Sequence, residues 1–143
     1  FPTPHDSSDS VGYCFCAGGK RLVWMTDLGK VTFLARDFAQ RANILVLESN
    51  YCPRMLENSP RPYSLKSRIK GSHGHLSNAD AVALLKTMDS SVSEKIYLAH
   101  ISRECNSVPH IRELLSDVGE ILPKIEIVSP FSESSTPYDD GEA

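Results

Sequence analysis

Four short polar clusters interrupt the apolar runs of this sequence: His5-Asp6, Thr26-Asp27, Glu48-Ser49-Asn50 and His100-Ile101-Ser102. Histidine and the carboxylates are the side chains that ligate zinc or manganese and that move protons in general acid–base steps. Three of the clusters end runs that read as strands: Leu22-Val23-Trp24-Met25, Ile44-Leu45-Val46-Leu47 and Lys95-Ile96-Tyr97-Leu98-Ala99. The fourth, His5-Asp6, ends the first extended piece. In layered α/β folds, loops at one edge of the sheet are where functional groups collect. Taken singly, each residue also has a purely structural reading. Asp27 suits a turn or a helix cap, His5 a surface near a terminus, and His100 a core histidine bonded to a carbonyl. Residue type leaves both readings open; the repeated placement favours a metal site.

The elements that must hold these residues follow from periodicity. Ser10 to Cys16 and the run holding Trp24 flank Gly18-Gly19 and predict a hairpin. Val31 to Arg41 predicts an amphipathic helix with Phe33, Leu34, Phe38 and Ala42 inward. Tyr51 to Gly74 is irregular or broken into short helices by Pro53, Pro60 and Pro62. Asn78 is the expected N-cap of a helix burying Ala81, Val82, Leu84, Leu85 and Met88. A last helix is expected over Val108 to Leu122, then a strand over Ile125-Glu126-Ile127-Val128. Strands alternating with helices predict a layered α/β domain over residues 1–129. Residues 130–143 are Ser-, Pro- and acid-rich and are expected to form a disordered tail.

The 143 residues suit one domain with a modest core, and no apolar run approaches a membrane span. The formal net charge is -3, but Glu133, Asp139, Asp140 and Glu142 carry it. The remainder stands at about +1. Four cysteines form neither a disulfide framework nor a paired zinc knuckle, and Cys14 and Cys16, on one strand face, are expected to be buried thiols. That usage and the absence of a signal-peptide pattern predict a cytoplasmic protein. The chain opens at Phe1, and the expectation is a piece of a longer protein.

In order along the chain stand His5-Asp6-Ser7-Ser8-Asp9-Ser10-Val11-Gly12-Tyr13, Thr26-Asp27-Leu28-Gly29, Glu48-Ser49-Asn50, Gly74-His75-Leu76-Ser77-Asn78 and Leu98-Ala99-His100-Ile101-Ser102. From His5 to about Asn106 this resembles the C-terminal half of a metallo-β-lactamase-fold hydrolase. Within that superfamily it is similar to the YycJ/WalJ-type nucleases, relatives of tRNase Z. The resemblance implies an α/β fold, the C-terminal half of a four-layer αββα sandwich whose N-terminal half is not in this chain. It implies two divalent metal ions, zinc or manganese, at one edge. His5 and His100 would each ligate one ion, and Asp27 would bridge both. A carboxylate-bridged metal pair makes water a usable nucleophile near neutral pH, which suits phosphodiester hydrolysis. His75 would face the scissile phosphate as a proton-transfer or phosphate-binding group. His73, in the same loop, matches no motif and reads as a solvent-exposed residue. The superfamily's HxHxDH motif is absent, and Tyr51 and Cys105 depart from the pattern, which has His and Asn there.

Arg54, Arg61, Lys66, Arg68 and Lys70 lie between Glu48 and His75, with Glu57 opposing them. Beside a phosphodiesterase site they suit a nucleic-acid backbone, though an ordinary solvated face explains them equally well. Tyr63, within the run, suits stacking on a base but reads first as a packed aromatic. Lys66, Arg68, Asn78 and Ser102 are the expected substrate-binding residues. The resulting expectation is an exonuclease-type phosphodiesterase acting on DNA rather than RNA, without membrane association and inactive as this chain alone. The alternatives are a hydrolase of small phosphodiesters or thioesters, and a non-catalytic nucleic-acid-binding half-domain.

Overall fold

The computed structural model describes residues 1–128; the expected acidic tail lies outside them. One five-stranded sheet runs in sequence order, β1 (Tyr13–Ala17), β2 (Lys20–Met25), β3 (Ile44–Glu48), β4 (Lys95–Ala99) and β5 (Ile125–Ile127). β1 and β2 form the expected antiparallel hairpin, with Gly18 and Gly19 at φ 55° and 74°, angles that glycine reaches without steric cost. β2 through β5 are parallel.

Parallel neighbours in sequential order need crossovers, and right-handed crossovers stepping one way across a sheet all land on one face. α1 (Phe33–Gln40), α2 (Pro53–Asn58), α3 (Tyr63–Lys70), α4 (Asn78–Leu85) and α5 (Val108–Leu115) make those connections. The core lies between α1, α4 and α5 and the strand residues Val23, Met25, Leu45, Leu47, Ile96 and Leu98, while α2 and α3 close over a separate small cluster of Tyr51, Leu56, Ile69 and Cys105. The opposite face carries Tyr13, Phe15 and Trp24, which are 53%, 58% and 46% exposed. The run Leu22–Met25 is therefore buried on alternate residues, not throughout as its composition suggested. Parallel strands normally have cover on both faces, and here no element among the described residues covers the second one.

Local chemistry shifts several element ends. Ser77, not Asn78, caps α4, accepting from Asp80 N, while Asn78 is the first helical residue and 1% exposed. α1 buries Ala35 and Ala39, and Phe33 is 87% exposed, because the small pair lets the helix lie close on the sheet. Phe38 is half-buried and stacks on Phe1, ring centroids 4.3 Å apart. The last helix stops at Leu115 with Ser116 as its cap, short of the expected Leu122, and Gly119, at φ 70°, opens a 3₁₀ turn over Gly119–Lys124. Tyr63 is 78% exposed, so it is not the packed aromatic its type suggested. Cys14 is half-buried and Cys16 exposed because β1 is an edge strand; only Cys52 and Cys105 are buried thiols. Among the described residues no helix is long and apolar enough to cross a membrane.

Candidate metal centre

The parallel register decides where the polar clusters meet. Met25 pairs with Leu47, Leu47 with Leu98, and Glu48 with Ala99, so β2, β3 and β4 end side by side. Their C-terminal ends form the edge where open α/β sheets bind ligands. Asp27 and His100 follow two of these ends at φ 57° and 54°. Left-handed backbone is uncommon outside glycine, with Asp and His among the residues that tolerate it. The strain turns both side chains across the sheet edge, and such strain concentrates at functional sites.

The other two histidines arrive on loops laced together by backbone. Gly29 N donates to Pro4 O at 2.8 Å, and His75 N to Ile69 O at 3.0 Å. A Cβ on Gly74 would collide with the Arg68 and Ile69 carbonyl oxygens, and one on Gly29 would meet Gly71, Ser72 and Gly74 backbone. Only glycine permits that approach. Through it His5 Nδ1 reaches Gly74 O at 2.8 Å; the carbonyl only accepts, so Nδ1 carries the proton and Nε2 keeps a free lone pair.

The result is a ring of imidazoles about one carboxylate. His5 Nε2, His75 Nδ1 and His100 Nδ1 stand 3.6, 3.7 and 3.6 Å from Asp27 Oδ1. These distances are too long for hydrogen bonds. The His5 and His75 rings are 5.0 Å apart, and those of His75 and His100 5.2 Å. Sequence reasoning brought His5, Asp27, His75 and His100 to one place, and the structure puts them there.

It gave no role to Glu48, which organises the ring. Its side chain is 0% exposed. Oε1 accepts from His75 Nδ1 at 2.8 Å and His100 Nδ1 at 2.7 Å, and Oε2 from Leu28 N at 3.0 Å and Leu76 N at 3.3 Å. Burial pushes this carboxyl's pKa up, but the hydrogen bonds from His100, His75 and Leu28 outweigh it and hold the pKa below the usual value. The bond to Glu48 in turn raises the His100 pKa, against burial. A carboxylate behind a histidine fixes its tautomer and raises its basicity as a ligand. One atom each of Asp27, Glu48, His75 and His100 lies within 4.8 Å of the others, a grouping able to hold a metal ion. Both Glu48 oxygens are already engaged by N–H donors, so it supports this grouping from behind, while the Asp27 carboxylate and His5 Nε2 carry no hydrogen bond to each other and stay available to an ion. The signal for Glu48 was a lone carboxylate closing a wholly apolar run.

Below the site, Asn78 and Asn106 bond each other, Ser49 Oγ donates to Asn78 Oδ1 at 2.8 Å, and Asn106 Nδ2 reaches the Ser49 and Asn50 carbonyls. Asn78, expected on the substrate, is wholly spent on this buried network. Lys66 is also turned away, its amine on the Glu57 carbonyl at 2.5 Å. Arg68 and Ser102 do border the site, lining with Asn50, Arg61, His75 and His100 a cavity of about 280 Å³. The basic cluster has more opposition than Glu57: Arg68 pairs with Asp6, and Arg61 with Glu104 at 2.9 Å. The Arg68 bond holds the Asp6 pKa down. His73 is exposed, as expected.

No family model matches the chain. It is 32% identical over 120 residues to exodeoxyribonuclease YycJ of Bacillus anthracis, covering 84% of this chain and 46% of that protein. It is 34% identical over 107 residues to exodeoxyribonuclease WalJ of Streptococcus pneumoniae, covering 74% of this chain and 39% of that protein. The chain thus spans less than half the length of these curated relatives. A solved structure described as a new diphosphatase from the PhnP family aligns over 82% of this chain and 39% of its own, at 13% identity and a TM-score of 0.45.

Proposed function

The chain is a homologue, over part of their length, of the YycJ/WalJ exodeoxyribonucleases of the metallo-β-lactamase fold family, and from that premise we propose that it supplies the second half of a metal-dependent DNA phosphodiesterase site. The observation that carries this reading is the ring of three imidazoles around Asp27 Oδ1, each at 3.6 to 3.7 Å. Glu48 and Gly74 aim three imidazoles at one partly exposed carboxylate without bonding them to it, and the donor set suits zinc or manganese.

In this proposal His5, Asp27 and His100 would hold the divalent metal, two ions in the intact protein, with Asp27 supplying the shared negative charge. The remaining ligands come from an HxHxDH segment, which these 143 residues do not contain. When bound, the ions polarise the phosphoryl oxygen and activate water for attack. The protein's own part is orientation and proton transfer. Glu48 and Gly74 fix the rings; His75, whose Nδ1 donates to Glu48, would present Nε2 to the scissile phosphate. Its proton transfer to the departing oxygen requires the imidazolium form, which carries a second proton on Nε2 and returns to the neutral ring on giving it up. Arg68 and Ser102, on the adjoining cavity wall, receive the neighbouring phosphodiester. A fourfold layering follows if the rest of the protein covers the Tyr13, Phe15 and Trp24 face with a second sheet.

His75→Ala in the full-length protein tests the division of labour. Metal content stays near normal while turnover on DNA falls roughly 10²- to 10⁴-fold, the range for a positioned proton-transfer or oxyanion group. Metal lost in step with activity makes His75 a ligand and overturns its assignment.

The chain expressed alone makes a further check. It is expected to show no nuclease turnover, weak metal binding, and binding of apolar dyes to the open sheet face. Trp24, 46% exposed on that face, reports the cover directly. Its fluorescence should shift to the blue when the rest of the protein is present.

A further inference from the structure

We propose that Cys14 and Cys16 form a second metal site, a surface dithiolate clasp for a thiophilic cation of the zinc class. The two lie on one face of edge strand β1, where residues two apart project to the same side. Their sulfurs are 3.8 Å apart. A metal–sulfur bond of about 2.3 Å taken at the tetrahedral angle sets two thiolates about 3.8 Å apart, so the pair already has the bite of such an ion. A disulfide demands something else. Its sulfurs close to about 2.05 Å and its Cβ atoms to about 3.8 Å, whereas a strand spaces alternate residues by roughly 6.7 Å.

The backbone keeps that spacing. β1 is paired along its whole length with β2, Cys14 opposite Val23 and Cys16 opposite Arg21, and the Gly18-Gly19 turn closes the hairpin beside them. Cys14 is half-buried and packs against the core, which anchors one sulfur, while Cys16 is exposed and leaves the clasp open to solvent. The site is separate from the centre around Asp27. Cys16 pairs near the start of β2, whereas Asp27 follows its end.

Burial and the neighbouring Cys16 raise the Cys14 pKa, so an entering ion must displace the Cys14 thiol proton. The guanidinium of Arg21 and the Phe1 ammonium lower it in opposition and favour the thiolates once formed. Two protein sulfurs leave two of four tetrahedral positions for water or for donors from another molecule. Such a clasp exchanges its ion readily and does not lock it in as a structural site does.

Cadmium is the probe, because thiolate-to-cadmium charge transfer in the ultraviolet separates sulfur ligation from binding by His and Asp. The chain should take up one equivalent of Cd²⁺ with that band and release protons, and zinc should compete it away. Cys16→Ser, at an exposed position where folding is not at stake, should weaken this binding by more than about 100-fold. The Cys14→Ser/Cys16→Ser pair should abolish the band, and Asp27→Asn should leave it intact. A full band in the double serine variant would place it on Cys52 or Cys105 and overturn the proposal. So would absence of the band in the parent chain, or a Cys14–Cys16 disulfide forming under mild oxidant in place of ion binding.

Discussion

Asp27→Asn in the full-length protein will reduce DNA hydrolysis to background and lower bound divalent metal, with little change in the stability of the metal-free protein. Asn is the informative replacement because it tolerates the left-handed backbone at φ 57° as Asp does. Alanine there adds a conformational cost of roughly 1–2 kcal/mol that confuses the result. The Asp27 side chain is 42% exposed, and the nearest ring nitrogens stand at 3.6 to 3.7 Å, beyond hydrogen bonding. Folding therefore gains little from the carboxylate. Its value lies in the charge it presents at the centre of the imidazole ring, and an amide is a poor bridge between two ions. Metal analysis and a DNA degradation assay on the same preparation decide the matter. Normal metal content with lost activity would remove Asp27 from the ligand set.

Glu48→Gln will have the opposite signature, losing stability before it loses anything else. The carboxylate is acceptor-only and fully buried, and four N–H groups converge on it. An amide keeps the shape but turns two of its own hydrogens toward donors, whichever way it faces. Either two imidazole N–H groups or two backbone N–H groups then meet a donor. Breaking a buried, charge-assisted network by removing one partner costs about 3–5 kcal/mol. That is a large share of a small domain's net stability. Thermal unfolding of the metal-free protein should show it as a loss of many degrees, with metal affinity falling as His75 and His100 lose their orientation. The pH dependence has a definite sign. The folded-state Glu48 pKa is depressed, so its contribution is fully present above the ordinary carboxylate range and is lost as pH falls through the folded value. The Gln variant lacks that dependence. Unchanged unfolding in the variant would mean that the Glu48 network contributes nothing to the fold.

What the sequence determined by itself is the set of strands and the residues at their ends. Apolar runs of strand length, each cut off by a polar residue, place Asp27, Glu48 and His100 at strand termini, because a charged group inside such a run would be desolvated without a partner. The glycine pair of the hairpin and the proline-broken helices after Tyr51 were legible for the same local reason. Motif order added His5 and His75. Sequence did not separate the two faces of the sheet. Leu22–Met25 is apolar throughout, yet only its alternate residues are buried, because α1, α4 and α5, the helices packed on the sheet, share the core with one face of it. Nor did it show that Asn78 is spent on Ser49 and Asn106, or that Arg68 and Arg61 are paired with Asp6 and Glu104. Those partners lie 28 to 62 positions apart in the chain and become neighbours only when the parallel register aligns the strand ends. Glu48 marks the boundary. Its type and position were plain in the sequence, but its role as the acceptor beneath two histidines depends on loops 27 and 52 residues away closing over it. That closure is a property of tertiary packing, fixed by the close backbone approach at Gly29 and Gly74.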